Sequence, residues 1–246
     1  MEKIALHQFP FSNFCEKVSW AFDWKGITPE IREHLPMLHM RKLRKLSGQT
    51  AVPVIESSSE GVIAGSAAIV AHLESINHSR SLIPSDPEQK KAALEWQATL
   101  DTVGGKVRGA MFYDFLEDKS YFHKMLTANR EFGVGYKLIF ILMSPVLRKK
   151  LTAVEPNPDV FRQQVSAALD SVAEGAKATG YLVGNQFTIA DLTAAALFFP
   201  LCFPAGTPAH DAARSAKAGE IWLDRWSGHP ALEYIRRMYQ LHRTPE

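Results

Sequence analysis

The chain has 246 residues, of which 46% are hydrophobic and 22% charged, with a formal net charge of +2. This is the composition of an ordinary globular protein and excludes disordered and fibrous classes. The Lys and Arg residues are dispersed, which excludes the concentrated cationic surface that a nucleic-acid partner needs.

The N-terminus carries an acid at Glu2 and no long apolar stretch, so neither a secretory signal nor a transit peptide is expected. Residues 3–9 read as a short strand ended by Pro10. From Asn13 the period changes: Phe14, Val18, Ala21 and Phe22 recur at helical spacing, and Gly26 stands where a C-cap glycine belongs. A second strand over 30–34 completes a βαβ unit, whose strands are predicted to be parallel with a right-handed crossover. A basic segment, residues 39–45, then reads as a short helix closed by Gly48. Residues 52–56 and 61–64, joined by the turn-rich 57–60, read as a β-hairpin. Ser66 is the expected N-cap of a helix carrying Ile69, Leu73 and Ile76.

Residues 77–88 are polar and contain two prolines, which marks a boundary between domains. The division expected is 1–78, a linker over 79–87, and 88–246. Beyond the linker the chain reads as helical over 89–116, 159–178, 189–199 and 221–241, with room for one or two more helices in 117–157. The apolar run 134–147 is too short to span a bilayer and contains Lys137 and Pro145. It reads as a buried helix or a hydrophobic docking surface. Thr188, Asp191, Phe187 and Leu192 have the spacing of a capping box with a hydrophobic staple.

Chemistry concentrates at the first strand-to-helix turn, Pro10-Phe11-Ser12-Asn13-Phe14-Cys15-Glu16-Lys17-Val18. Free backbone N–H groups and the helix dipole favour a thiolate at such a position. Ser12 reads from the turn itself as the helix N-cap, with a hydroxyl one hydrogen bond from that position. Cys15 falls on the apolar face with Val18 and Phe22, where packing competes with a redox role. With Cys202 the only other cysteine, and no disulfide or zinc spacing, a reducing, cytoplasmic setting without a metal is expected.

This turn, with Val52-Pro53, Gly65-Ser66 and the Thr188–Asp191 motif in that order, resembles the glutathione transferase superfamily, and less closely the glutaredoxins. The resemblance implies a thioredoxin-like α/β domain (βαβαββα) followed by an all-helical bundle. It implies glutathione as co-substrate, with Ser12 holding its sulfur as the thiolate for attack on a small hydrophobic electrophile. Val52, before a cis Pro53, would pair with the cysteinyl backbone, and Ser66 would receive the γ-glutamyl carboxylate at a helix N-terminus. The family usually has Glu or Gln where this chain has Gly65. His39 and Arg41 stand nearest to the position that binds the glycyl carboxylate. Phe112 and Tyr113 are candidates for the electrophile's site, and a homodimer is expected. Two other functions remain open: a thiol oxidoreductase using Cys15, weakened because a hydroxyl at position 12 forms no mixed disulfide, and a non-catalytic binding protein docking through 134–147.

Overall fold

The computed structural model describes residues 2–36, 38–126, 134–207 and 210–243. The chain opens with β1 (Ile4–Gln8), α1 (Asn13–Lys25), β2 (Glu30–Glu33), α2 (Met40–Ser47), β3 (Val54–Ser57), β4 (Gly61–Ala64) and α3 (Ser66–Ile76). Its sheet has the order β2-β1-β3-β4, with β1 parallel to β2 and antiparallel to β3, and β3 antiparallel to β4. This is a thioredoxin-like arrangement. The two central strands are buried, and Leu6 and Ile55 share their core with Val18 of α1 and with Ile69 and Leu73 of α3.

Among the described residues the rest is helical: α4 (Pro87–Phe115), α5 (Lys119–Leu126), α6 (Val134–Val154), α7 (Pro158–Gly175), α8 (Ile189–Phe198), α9 (His210–Ala213), α10 (Lys217–Trp226) and α11 (Pro230–His242). Every residue of α8 is buried, which suits a helix apolar on all sides at the centre of a bundle. Thr188 and Asp191 form the expected capping box.

Three local expectations need correction. The N-cap of α3 is Gly65, whose φ of 95° and ψ of 138° turn the chain out of the hairpin, and Ser66 is the first helical residue. The last helical stretch is two helices, because the chain turns through Gly228 at φ 81° before Pro230 starts α11. The run 134–147 lies within α6, yet Leu138, Ile141, Leu142 and Val146 are exposed, so it is not a buried helix.

α1 joins the two halves. Its Asn13 side chain donates to the carbonyls of Gly104 and Leu197, at 3.1 and 3.0 Å. Lys17, fully buried, pairs with Asp101 of α4 at 2.7 Å. The approach is close because position 104 has no side chain: a Cβ there would lie 2.9 Å from Leu197 and 3.0 Å from the Phe14 ring. At the other end, Trp20 Nε1 donates to the His242 carbonyl, and Arg243 pairs with Glu16 and Asp23.

Candidate functional site

Strand register gathers the site at one end of the sheet. His7, near the end of β1, pairs with Val54, the first residue of β3, so the chain leaving β1 toward Ser12 runs beside the chain entering β3 through Val52-Pro53. Val54 also pairs with Ala64, and the Gly65 N–H donates to the Pro53 carbonyl at 3.0 Å. The Val52-Pro53 bond and the start of α3 therefore meet, and the start of α1 lies at the same end of the sheet. The Val52-Pro53 peptide is cis.

Ser12 is the N-cap of α1: its φ of −86° and ψ of 123° are extended, and its Oγ accepts from the Cys15 N–H at 3.4 Å. Capping uses one acceptor site of the hydroxyl, which also hydrogen-bonds with the Cys15 side chain, and its proton can turn to a stronger acceptor such as a thiolate. The two readings of Ser12 are thus compatible. Cys15 is 1% exposed, and burial pushes its thiol up to about 11, so hardly any thiolate exists there near neutral pH. That environment is the opposite of what a redox nucleophile needs.

Ser66 is buried at the first turn of α3, where no side chain caps the helix. Its free backbone N–H groups and its hydroxyl form an anion-receptive end. Val52 is half-buried, and no backbone partner among the described residues takes its N–H or C=O. His39 precedes α2, its Nδ1 lies 3.2 Å from the Leu35 carbonyl, and its ring sits edge-on to Phe9 at 4.6 Å. Burial lowers its pKa, which makes it a neutral hydrogen-bond donor near pH 7. Arg41, one residue into α2, is exposed and has no ion pair among the described residues.

In the helical half, Phe112 is half-buried and meets Phe122 edge-on at 5.0 Å. The Tyr113 hydroxyl donates to the Glu155 carbonyl, which ties that ring to the end of α6. Among the described residues no group of three or more His, Cys, Asp or Glu side chains is arranged to hold a metal ion, and no helix is long and apolar enough to cross a membrane.

Residues 6–81 match the family description "Glutathione S-transferase, N-terminal domain", and residues 136–216 match "Glutathione S-transferase, C-terminal domain". The chain belongs to the glutathione S-transferase superfamily. Solved structures share its fold over nearly the whole length. A glutathione S-transferase from Pseudomonas fluorescens aligns with a TM-score of 0.63 at 18% identity, covering 98% of this chain and 96% of that one. One from Methylobacillus flagellatus with glutathione bound gives 0.63 at 16% identity, covering 98% and 96%. One from Methylobacterium radiotolerans in complex with glutathione sulfonate gives 0.59 at 19% identity, covering 94% and 93%. No curated protein matches the chain in sequence.

The sequence pattern did not single out Asn13 and Lys17. The signal was present: both are polar residues four apart on the face of α1 that carries Phe14, Val18 and Ala21. A polar side chain on a buried face needs a partner, and both find it in the helical half.

Proposed function

We propose that this member of the superfamily is a serine-type glutathione transferase. The observation that carries the reading is Ser12: a hydroxyl at the positive end of α1, at the same end of the sheet as the open backbone of Val52 and the uncapped start of α3. In this reading residues 1–78 form the glutathione-binding domain and 88–246 the helical domain. Ser12 donates to the glutathione sulfur and favours its thiolate. Val52, held by Pro53, pairs with the cysteinyl backbone. Gly65 and Ser66 receive the γ-glutamyl carboxylate, and His39 or Arg41 the glycyl carboxylate.

The thiolate sulfur then forms a bond to carbon of a hydrophobic electrophile, the leaving group departs with its electron pair, and the thiol proton passes to solvent. A homodimer is part of this reading, with the groove between α3 and α4, lined by Ala67, Ala71, Ile83 and Leu94 together with Glu74 and Lys90, as its candidate seam.

Calorimetry with glutathione, followed by conjugation of 1-chloro-2,4-dinitrobenzene, tests the reading, and sedimentation of the same sample reads the dimer. Ser12→Ala is expected to lower kcat/KM about 10- to 100-fold, the worth of one hydrogen bond to a charged group. It is also expected to move the pH-rate profile to higher pH. Unchanged kinetics in Ser12→Ala, or no heat with glutathione, would refute it. A second reading, docking without catalysis, is favoured by the exposed Leu138, Ile141, Leu142 and Val146 on α6, and glutathione turnover would exclude it as the sole function.

A further inference from the structure

α1 and α4 run antiparallel where they touch. Going forward along α4 from Asp101 to Gly104 goes backward along α1 from Lys17 to Asn13 and Phe14. Arg108 is the next residue of that stripe, one helical turn and about 6 Å further on at 1.5 Å per residue. This carries it past the first turn of α1 to the level of the Phe9–Ser12 turn. Phe112 follows on the same stripe, again one turn along.

Arg108 has no hydrogen bond and no ion pair among the described residues. The acids that flank it in sequence are committed elsewhere. Asp101 is held by Lys17 at 2.7 Å, Asp114 by Arg162 and by Arg225, and Glu117 by Arg148 at 2.7 Å. α1 covers this face of α4 at Asp101 and Gly104 but begins only at Asn13, so the exposed Arg108 lies where that cover ends and a recess opens; the desolvation that lowers its pKa agrees. A guanidinium in such a recess, always charged and presenting a planar fork of donors, is matched by a carboxylate or a similar anion.

We propose that Arg108 selects second substrates that carry an anionic group, so that the electrophile taken by this chain is an aromatic or other apolar body bearing a carboxylate. The anion pairs with Arg108 and the apolar body lies along α4 toward Phe112, one turn further on. The inference rests on the transferase reading for the words "second substrate", but the anion preference is measurable without glutathione.

The test is calorimetry of 4-nitrobenzoate against its neutral counterpart 4-nitrobenzamide, on wild type, Arg108→Met and Arg108→Lys, in the absence of glutathione. Wild type is expected to prefer the carboxylate by about tenfold or more, from the worth of a charged hydrogen bond. The preference should vanish in Arg108→Met, survive in part in Arg108→Lys, and weaken with added salt. With glutathione present, the ratio of kcat/KM for 4-chloro-3-nitrobenzoate over its methyl ester should fall in Arg108→Met by a similar factor. No carboxylate preference in wild type, or one that Arg108→Met leaves intact, overturns the proposal. If glutathione fails to bind while the carboxylate preference follows Arg108, the transferase reading falls and the anion site stands.

Discussion

The two halves of this molecule prepare their sites by different means. In the sheet-bearing half, the groups we propose for a ligand are set by backbone: an N-cap hydroxyl, a cis peptide, a glycine at positive φ, and the open amides of α3. Each depends on a few consecutive residues. In the helical half, the groups we propose are side chains, Arg108 and Phe112, which reach the level of the Phe9–Ser12 turn only because α4 packs against α1 in one register. A backbone-built site keeps its shape when side chains drift. A side-chain-built site is free to change its ligand by substitution, at little cost to the fold.

That contrast is sharpest for the helical half's own anchor, which has no part in the ligand site. Asp191 is fully buried and accepts four hydrogen bonds, from the Leu182 and Thr188 N–H groups, the Thr188 hydroxyl and the Tyr234 hydroxyl, at 2.7–2.9 Å. Asp191→Ala strands all four donors and is expected to cost about 3–4 kcal/mol in urea unfolding. Asp191→Asn, which retains one acceptor oxygen, should lose less. A loss near zero for the alanine variant would mean that the bundle does not depend on this carboxylate.

A smaller effect is expected beneath the sheet-bearing site. His34 donates its backbone N–H to Gln8, its ring stacks on His7 at 5.0 Å, and its Nε2 lies 2.8 Å from His7 Nδ1. Burial, then the charges of His7, Lys42 and His39, lower its pKa from 6.5 to about 4. Because the unfolded chain binds the proton between those values and the folded one does not, stability should fall as pH drops from 6.5 to 4. Discounted for the ring's partial exposure, the contribution is about 1 kcal/mol. In His34→Gln the slope of stability against pH over this window should flatten. An unchanged slope would assign the pH dependence to other groups.

The same contrast explains what was legible in the sequence. Ser12, Gly26, the Val52-Pro53 pair and the Thr188–Asp191 box were readable because each acts within one turn of chain. The element order of the sheet-bearing half followed from the change of hydrophobic period. Where reading failed locally, a neighbouring constraint won: Gly65 took the cap from Ser66 because the hairpin exit needs a positive φ, and Gly228 split the last helix. Arg108 was not legible at all. Phe112 is visible in the sequence, but the antiparallel register that carries Arg108 to the level of the Phe9–Ser12 turn depends on Asn13, Lys17 and the missing side chain at Gly104 acting together.

The smallest expected effect separates backbone from side chain at one residue. Gly65 has a φ of 95°, and a Cβ added there would meet no atom within 4 Å, so substitution strains the backbone without a clash. Gly65→Ala is expected to cost about 1 kcal/mol for that conformation alone. Gly65→Gln carries the same backbone strain and adds the kind of side chain that the superfamily usually has before the serine. The two variants should therefore unfold at similar urea concentrations. If the γ-glutamyl end of glutathione lies at Ser66, the glutamine variant should bind glutathione more tightly than the alanine variant, because only the glutamine reaches its amine. Equal affinities with equal stabilities would place that end of the tripeptide away from α3, and would leave Ser12 and Val52 as the groups that hold it.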